Sequence, residues 1–253
     1  VSTPYPRIAI VTGSTSGIGE AITRKFISSG FGVVGNARRA DALAAQEKEF
    51  GASFRGVAGD AADVSVIDQL FATAQAHFGR PADIVIVNAG RGLGGSVTTS
   101  DLAQFEEVLR TNVAGALALM QKAGRLMAET QQTSFPKTAA DIVVIGSVAG
   151  RHVSPFSAAY GSTKFAVAAL TEGLRREIGP KGVRVTLIEP AVVVTGFQAV
   201  AGYSESLLQG FDEKFGPLLV GDDVANAIHY AVSQPPHVHL CDILIRPTRQ
   251  DYP

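Results

Sequence analysis

Ile8-Ala9-Ile10-Val11-Thr12-Gly13-Ser14-Thr15-Ser16-Gly17-Ile18-Gly19 is the stretch that decides the fold. Its first five residues form an apolar run of strand length, and a helical pattern follows the last glycine. Glycines at a strand-to-helix junction allow a tight turn and a close backbone approach, and the helix N-terminus offers N–H groups and positive potential to a phosphate. The spacing here is Gly-x-x-x-Gly-x-Gly rather than the usual G-x-G-x-x-G, so its place between the first strand and the first helix carries the reading. On that reading Gly13, Ser14, Thr15, Ser16, Gly17, Ile18 and Gly19 cradle a pyrophosphate; the alternative is a glycine-rich turn with no ligand.

Working outward, apolar runs at 8–12, 32–37, 53–58, 84–88, 142–147, 183–188 and 243–245 read as about seven strands. They are continuously apolar, as strands covered on both faces of a parallel sheet must be. Helical stretches lie between them. Val113, Leu117, Met120 and Met127 make one apolar stripe, and Val167, Leu170, Leu174 and Ile178 another; both read as core or subunit contact. This alternation predicts an α/β fold of the Rossmann type, a doubly wound parallel sheet with helices on both faces and ligands at the carboxyl ends of the strands. No linker or repeat interrupts it, so residues 1–253 are expected to form one cofactor-binding domain. The polar stretch 129–137 reads as a surface loop, and 191–216 as an irregular segment that could serve as a substrate lid.

Composition narrows the function classes. Apolar residues make up 46% of the 253, enough for a sizeable core, and the net charge is −1. That balance gives no electrostatic case for nucleic acid or an anionic membrane. No apolar run approaches the roughly 20 residues of a membrane span. Residues 1–7 carry no signal-peptide pattern, and the single cysteine, Cys241, excludes an internal disulfide framework. A reducing, cytoplasmic location is therefore expected.

Two further positions bear on chemistry. The second strand ends in Gly35-Asn36-Ala37-Arg38-Arg39, where an NAD site usually places a carboxylate for the ribose hydroxyls. Here two guanidinium groups stand within reach of a 2′-phosphate, which predicts NADP (NADPH) over NAD; the alternative is a pair of solvated arginines at a helix start. Tyr160 and Lys164, four apart, share one helix face. An ammonium beside a phenol favours the phenolate, so the tyrosine can exchange protons nearer neutrality, as a carbonyl/alcohol interconversion requires.

With these residues in place, the chain resembles the short-chain dehydrogenases/reductases of roughly 250 residues over nearly its whole length. Thr12-Gly13-x-x-x-Gly17-Ile18-Gly19 resembles the family's cofactor loop, and Asn88-Ala89-Gly90 its signature after the fourth strand. Asp60, followed by Ala61, resembles the acidic residue that meets the adenine. Asn112, Ser147, Tyr160 and Lys164 resemble the catalytic four, and Pro190-Ala191-x-Val193-x-Thr195 the segment at the nicotinamide. Two departures are Ala191 where glycine is usual and Gly146 where a second serine is common. The resemblance implies that Ser147 polarises the carbonyl and Tyr160 transfers the proton. It implies that Lys164 binds the ribose and lowers the tyrosine pKa, and that Asn112 holds a water linking Lys164 to solvent. It also implies a homotetramer or homodimer built on the helices around 111–130 and 157–179.

The implied partner is a small-molecule carbonyl or alcohol. The tail 238–250 resembles a branch containing serine and 3-hydroxy acid dehydrogenases. The pocket is expected at Arg91, Gly92, Ser147, Val148, His152, Val153, Val192, Phe197 and Tyr203. Arg91 could anchor a substrate carboxylate or simply face solvent, and His152 could face substrate or be a loop histidine without a role. His237, His239 and Cys241 share one face of an extended segment but lack a fourth ligand nearby, so no metal is expected. Two other functions stay open: a 3-oxoacyl carrier reductase, and an NADP-sensing regulator without turnover.

Overall fold

The structure, a computed structural model, describes residues 5–197, 201–202 and 204–251. Seven strands form one parallel sheet: β1 (Ile8–Thr12), β2 (Gly32–Ala37), β3 (Phe54–Ala58), β4 (Ile84–Val87), β5 (Ala140–Ile145), β6 (Val183–Pro190) and, after two short strands, β9 (Asp242–Ile245). Their order is β3-β2-β1-β4-β5-β6-β9. The two short strands, β7 (Val193–Val194) and β8 (Leu219–Val220), pair with each other in parallel. The α-helices whose bounds lie among the described residues are α1 (Gly17–Ser28), α2 (Ala40–Phe50), α3 (Val64–Phe78), α4 (Leu102–Leu109), α5 (Ala116–Ser134), α6 (Ala158–Ile178), α7 (Glu205–Phe215) and α8 (Gly221–Val232).

Alternation along each strand sends side chains to two separate cores. Ile8 and Ile10 join Leu70, Met120 and Val167 beneath α3, α5 and α6, while Ala9 and Val11 join Ile22, Leu43 and Val224 beneath α1, α2 and α8. Central strands are therefore buried throughout, including the polar residues Asn36, Asp141, Arg184, Thr186 and Glu189 that interrupt their apolar runs. The edges differ: Arg55 and Ala58 of β3, and Asp242 and Leu244 of β9, are exposed because no neighbouring strand lies beyond them. Chain order reverses between β1 and β4, which opens a crevice beyond Thr12 and Val87 at their carboxyl ends.

Two readings of the segments taken as loop or irregular are corrected. The stretch 129–137 is not mainly a loop, since α5 continues to Ser134 with Ala128 and Gln131 buried and the outward side chains polar. Nor is 191–216 irregular: it holds β7 and α7, whose Ser204 caps the helix by accepting from Leu207 N–H at 3.2 Å. α7 was hidden because it is largely solvent-facing, with only Phe215 buried.

At the amino ends of the strands, opposite the crevice, a charged network ties the sheet together. Arg184 of β6 donates to both oxygens of its register neighbour Asp141 at 2.7 and 2.9 Å, and Arg7 reaches Asp141 at 2.8 Å and Asp83 at 3.1 Å. His239 Nε2 accepts from Val185 N–H at 3.0 Å. That side chain is spent on the sheet, and no group of His, Cys, Asp and Glu fit for a metal occurs among the described residues.

Candidate active site

A cleft of about 580 Å³ occupies the crevice. Gly13, Ser16, Gly17, Ile18, Arg38 and Arg39 line one part of it and Ser147, Tyr160 and Lys164 another; Thr195 stands against the glycine turn, where a Cβ on Gly17 would lie 3.2 Å from its Cβ, and Pro190, Ala191, Val193, Asn88, Ala89 and Gly90 also line the cleft. The first end is shaped for a phosphate. Gly13 and Gly17 have φ of +69° and +54°, conformations that a side chain would strain, and a Cβ on Gly13 would lie 2.9 Å from Asn88 Nδ2. Ser16 makes no side-chain capping bond, so α1 presents its first N–H groups without a side-chain cap. Gly19 does not line the cleft, yet a Cβ there would sit 2.1 Å from Gly13 O, so only glycine lets α1 start against the turn.

Neighbouring residues hold this turn in place. Thr12 Oγ1 accepts from the N–H groups of Asn88 and Ala89 at 3.1 Å each, and Asn88 Nδ2 donates to Thr12 O at 2.8 Å. Ser14 is buried; its N–H reaches Asn36 O at 3.0 Å and its carbonyl accepts from Gln46 Nε2 at 2.8 Å. Ser14 thus supports the cleft without lining it, and Thr15 does not line it either. Asp60 and Ala61 do not line it either. The Asp60 carboxylate accepts from Arg110 at 2.5 Å and from Ala62 N–H at 2.9 Å, and these contacts hold its pKa below the usual carboxylate range.

At the other end Ser147 follows β5, and its Oγ accepts from Ala149 N–H at 3.1 Å, which leaves the hydroxyl proton available to a substrate oxygen. Tyr160 and Lys164 lie on α6, both buried. Lys164 Nζ donates to Ile145 O at 2.8 Å and lies 5.9 Å from the centre of the Tyr160 ring. Burial lowers the Lys164 pKa to about 8. Asn112 sits in a π-helical turn, Arg110–Gly115, that joins α4 to α5. Its amide donates to Arg91 O at 2.9 Å and to Thr163 Oγ1 at 3.2 Å, and its oxygen accepts from Arg91 N–H at 2.8 Å. The side chain is committed to joining the post-β4 loop to α6, and Asn112 does not line the cleft.

Of the expected substrate residues, Arg91, Val148, His152, Val192 and Phe197 line the cleft. The Arg91 guanidinium pairs with Glu107 of α4. Gly92 lies beneath the lining, where a Cβ would meet Ala201 at 2.5 Å and the Phe197 ring at 2.7 Å. Val153 is 64% exposed and does not line the cleft, although His152 and Ser154 on either side of it do. Tyr203 falls outside the described residues. Phe197 packs edge-on to Tyr160, ring centres 5.6 Å apart. Sequence reasoning missed Phe211, Ser154, Ser157 and Gln250 in the lining. The Phe211/Phe215 spacing of four was a helical signal for the first; nothing in the sequence marked Gln250.

Comparison with known proteins bears on this geometry. Residues 7–205 match the family model described as short chain dehydrogenase. A serine 3-dehydrogenase of Rhizobium radiobacter is 31% identical over 245 residues, covering 96% of this chain and 94% of that protein. Among solved structures, the closed form of a serine dehydrogenase complexed with NADP+ superposes with a TM-score of 0.86 at 29% identity, covering 97% of this chain and 96% of the other. A 3-ketoacyl-(acyl-carrier-protein) reductase of Brucella melitensis complexed with NADH has a TM-score of 0.87 at 24% identity over 97% of this chain and 98% of the other, a likeness of fold.

Proposed function

This chain belongs to the short-chain dehydrogenase family, and from that premise we propose that it is an NADP-dependent oxidoreductase interconverting a carbonyl and an alcohol. The observation that carries the proposal is the cleft itself, with Ser147, Tyr160 and Lys164 at one end and an uncapped helix start with Arg38 and Arg39 at the other. These residues fit the dinucleotide: glycine backbone and α1 N–H groups for the pyrophosphate, and two guanidinium groups for the 2′-phosphate. The NADP+ in the related serine dehydrogenase supports the same choice. When bound, the cofactor supplies the hydride.

The chain's own residues manage the oxygen. Ser147 donates a hydrogen bond from its hydroxyl to the carbonyl oxygen and polarises it, and its bond from Ala149 fixes the direction. Tyr160 delivers the proton in reduction and removes it in oxidation. Lys164 stabilises the tyrosinate and would hold the nicotinamide ribose, while Asn112 keeps α4, α6 and the post-β4 loop in register. Thr195, with Pro190, Ala191 and Val193, would hold the nicotinamide side of the cofactor. Phe197 and Phe211, from the 191–216 segment, act as a lid that excludes water over Tyr160. The whole chain works as one domain, and exposed Leu117, Leu126 and Phe165 on α5 and α6 support assembly of copies through those helices. No described helix is long and apolar enough to cross a membrane, and the lone Cys241 supports a cytoplasmic setting.

The test is NADPH oxidation against a panel of ketones, aldehydes and oxo acids, with NADH in parallel. Turnover with NADPH preferred is expected, falling by about a thousandfold in Tyr160→Phe while NADPH still binds. Full turnover in that variant sinks the assignment of Tyr160, and a clear preference for NADH sinks that of Arg38 and Arg39.

A further inference from the structure

Glu189 near the end of β6 carries a carboxylate that is 1% exposed and has no part in the proton transfer described above. It accepts a hydrogen bond from Arg151 Nε. Arg151 belongs to the turn that presents Ser147, Val148 and His152 to the cleft. That turn closes on itself: Gly150 N–H reaches Ser147 O at 2.8 Å, and the N–H groups of Arg151 and His152 reach Val148 O at 3.0 and 3.1 Å. These bonds set its shape but not its position. The Arg151–Glu189 pair fastens it to the sheet, and Arg151 Nη2 lies 3.9 Å from Asp242 of β9.

Gly146 makes room for this arrangement. A Cβ there would lie 3.2 Å from Glu189 Cγ and 2.9 Å from Leu187 Cδ1. The glycine that stands where a serine is common is therefore coupled to the buried glutamate. Charged groups face Glu189 from two directions, Arg151 and His152 from the turn and Asp242 from β9. Burial raises the Glu189 pKa, and Arg151 pulls against that rise.

We propose that Glu189 and Arg151 are positioning residues that set the height of the 147–152 turn over the reacting end of the cleft, and so the aim of Ser147 and His152 at the carbonyl. This rests on the oxidoreductase reading of the same site. An enclosed carboxylate holds its place only with its partner, so protonating Glu189 or removing Arg151 releases the turn.

The experiment uses the full chain as Glu189→Gln, Arg151→Met, Arg151→Lys and the double variant Glu189→Gln/Arg151→Met. Three quantities are read: kcat/KM for the best carbonyl compound across pH, NADPH affinity by fluorescence, and hydrogen exchange of the 146–157 peptide. Each single loss is expected to lower kcat/KM about tenfold, with the double variant no worse and NADPH affinity within about twofold. Arg151→Lys recovers part of the rate, and exchange quickens in 146–157 but not in 13–19. The unmodified protein loses kcat/KM toward acid pH as Glu189 takes up a proton, and Glu189→Gln lacks that limb. An unchanged acid limb, unchanged exchange in 146–157, or an unaltered kcat/KM overturns the proposal, as does a matching loss of NADPH affinity. No carbonyl turnover by the unmodified protein overturns the functional reading and this one with it; turnover indifferent to both substitutions overturns this one alone.

Discussion

Lys164 is enclosed, and an enclosed ammonium has traded its hydration for one carbonyl, Ile145 O at 2.8 Å. The fall of its pKa from 10.5 to about 8 corresponds to about 3 kcal/mol of fold stability surrendered near neutrality. Below pH 8 the lysine is protonated in both folded and unfolded chains and the cost is fully present; between about 8 and 10.5 the folded chain loses the proton first and stability recovers. Lys164→Met is therefore expected to raise Tm at pH 7 while nearly abolishing turnover. In the unmodified protein Lys164 loses its charge as pH passes through about 8 and no longer stabilises the tyrosinate, so alcohol oxidation should decline there, measured as kcat/KM. An unaltered Tm in the methionine variant would show that the charge costs nothing. The Tyr160–Lys164 pair was legible because spacing on a helix is a local property. The commitment of the Asn112 side chain to Arg91 and Thr163 was not, because it depends on where α4, α6 and the post-β4 loop meet.

Between residue and molecule, the β1-turn-α1 unit is the most constrained element. A methyl on Gly19 would stand 2.1 Å from Gly13 O and 2.5 Å from Asn88 Nδ2, so α1 could not begin where it does. Gly19→Ala is expected to weaken NADPH binding about a hundredfold, the scale of an ångström's misplacement at a site, as read by fluorescence titration. Wild-type affinity in that variant would mean the helix start is not the phosphate site. Elements with strong apolar periodicity were readable to within a few residues; β1 and β2 agree with their expected bounds. The others were hidden by weak pattern. α7 buries only Phe215, and the last turns of α5 are polar outside and hold Gln131 inside. A solvent-facing helix and a polar loop have nearly the same composition.

Across the whole molecule, the two ends of the sheet divide the labour. The carboxyl ends hold the cleft, and the amino ends hold the Arg7–Asp83–Asp141–Arg184 network. Asp141→Ala leaves Arg184, itself 4% exposed, without its carboxylate, and should cost about 3–5 kcal/mol of stability by chemical denaturation. The folded fraction should keep its kcat, because no network residue lines the cleft; a proportional loss of kcat would show that the two ends are coupled. By itself the sequence determined the doubly wound α/β class, the glycine turn between β1 and α1 and the shared helix face of Tyr160 and Lys164, since each rests on short-range periodicity or spacing. Only the tertiary structure decided that Gln250 and Phe211 enter the cleft, that Val153 leaves it, and that Glu189 meets Arg151 from 38 residues away. Such contacts join segments distant in the chain, and no local pattern encodes a distance that only packing sets.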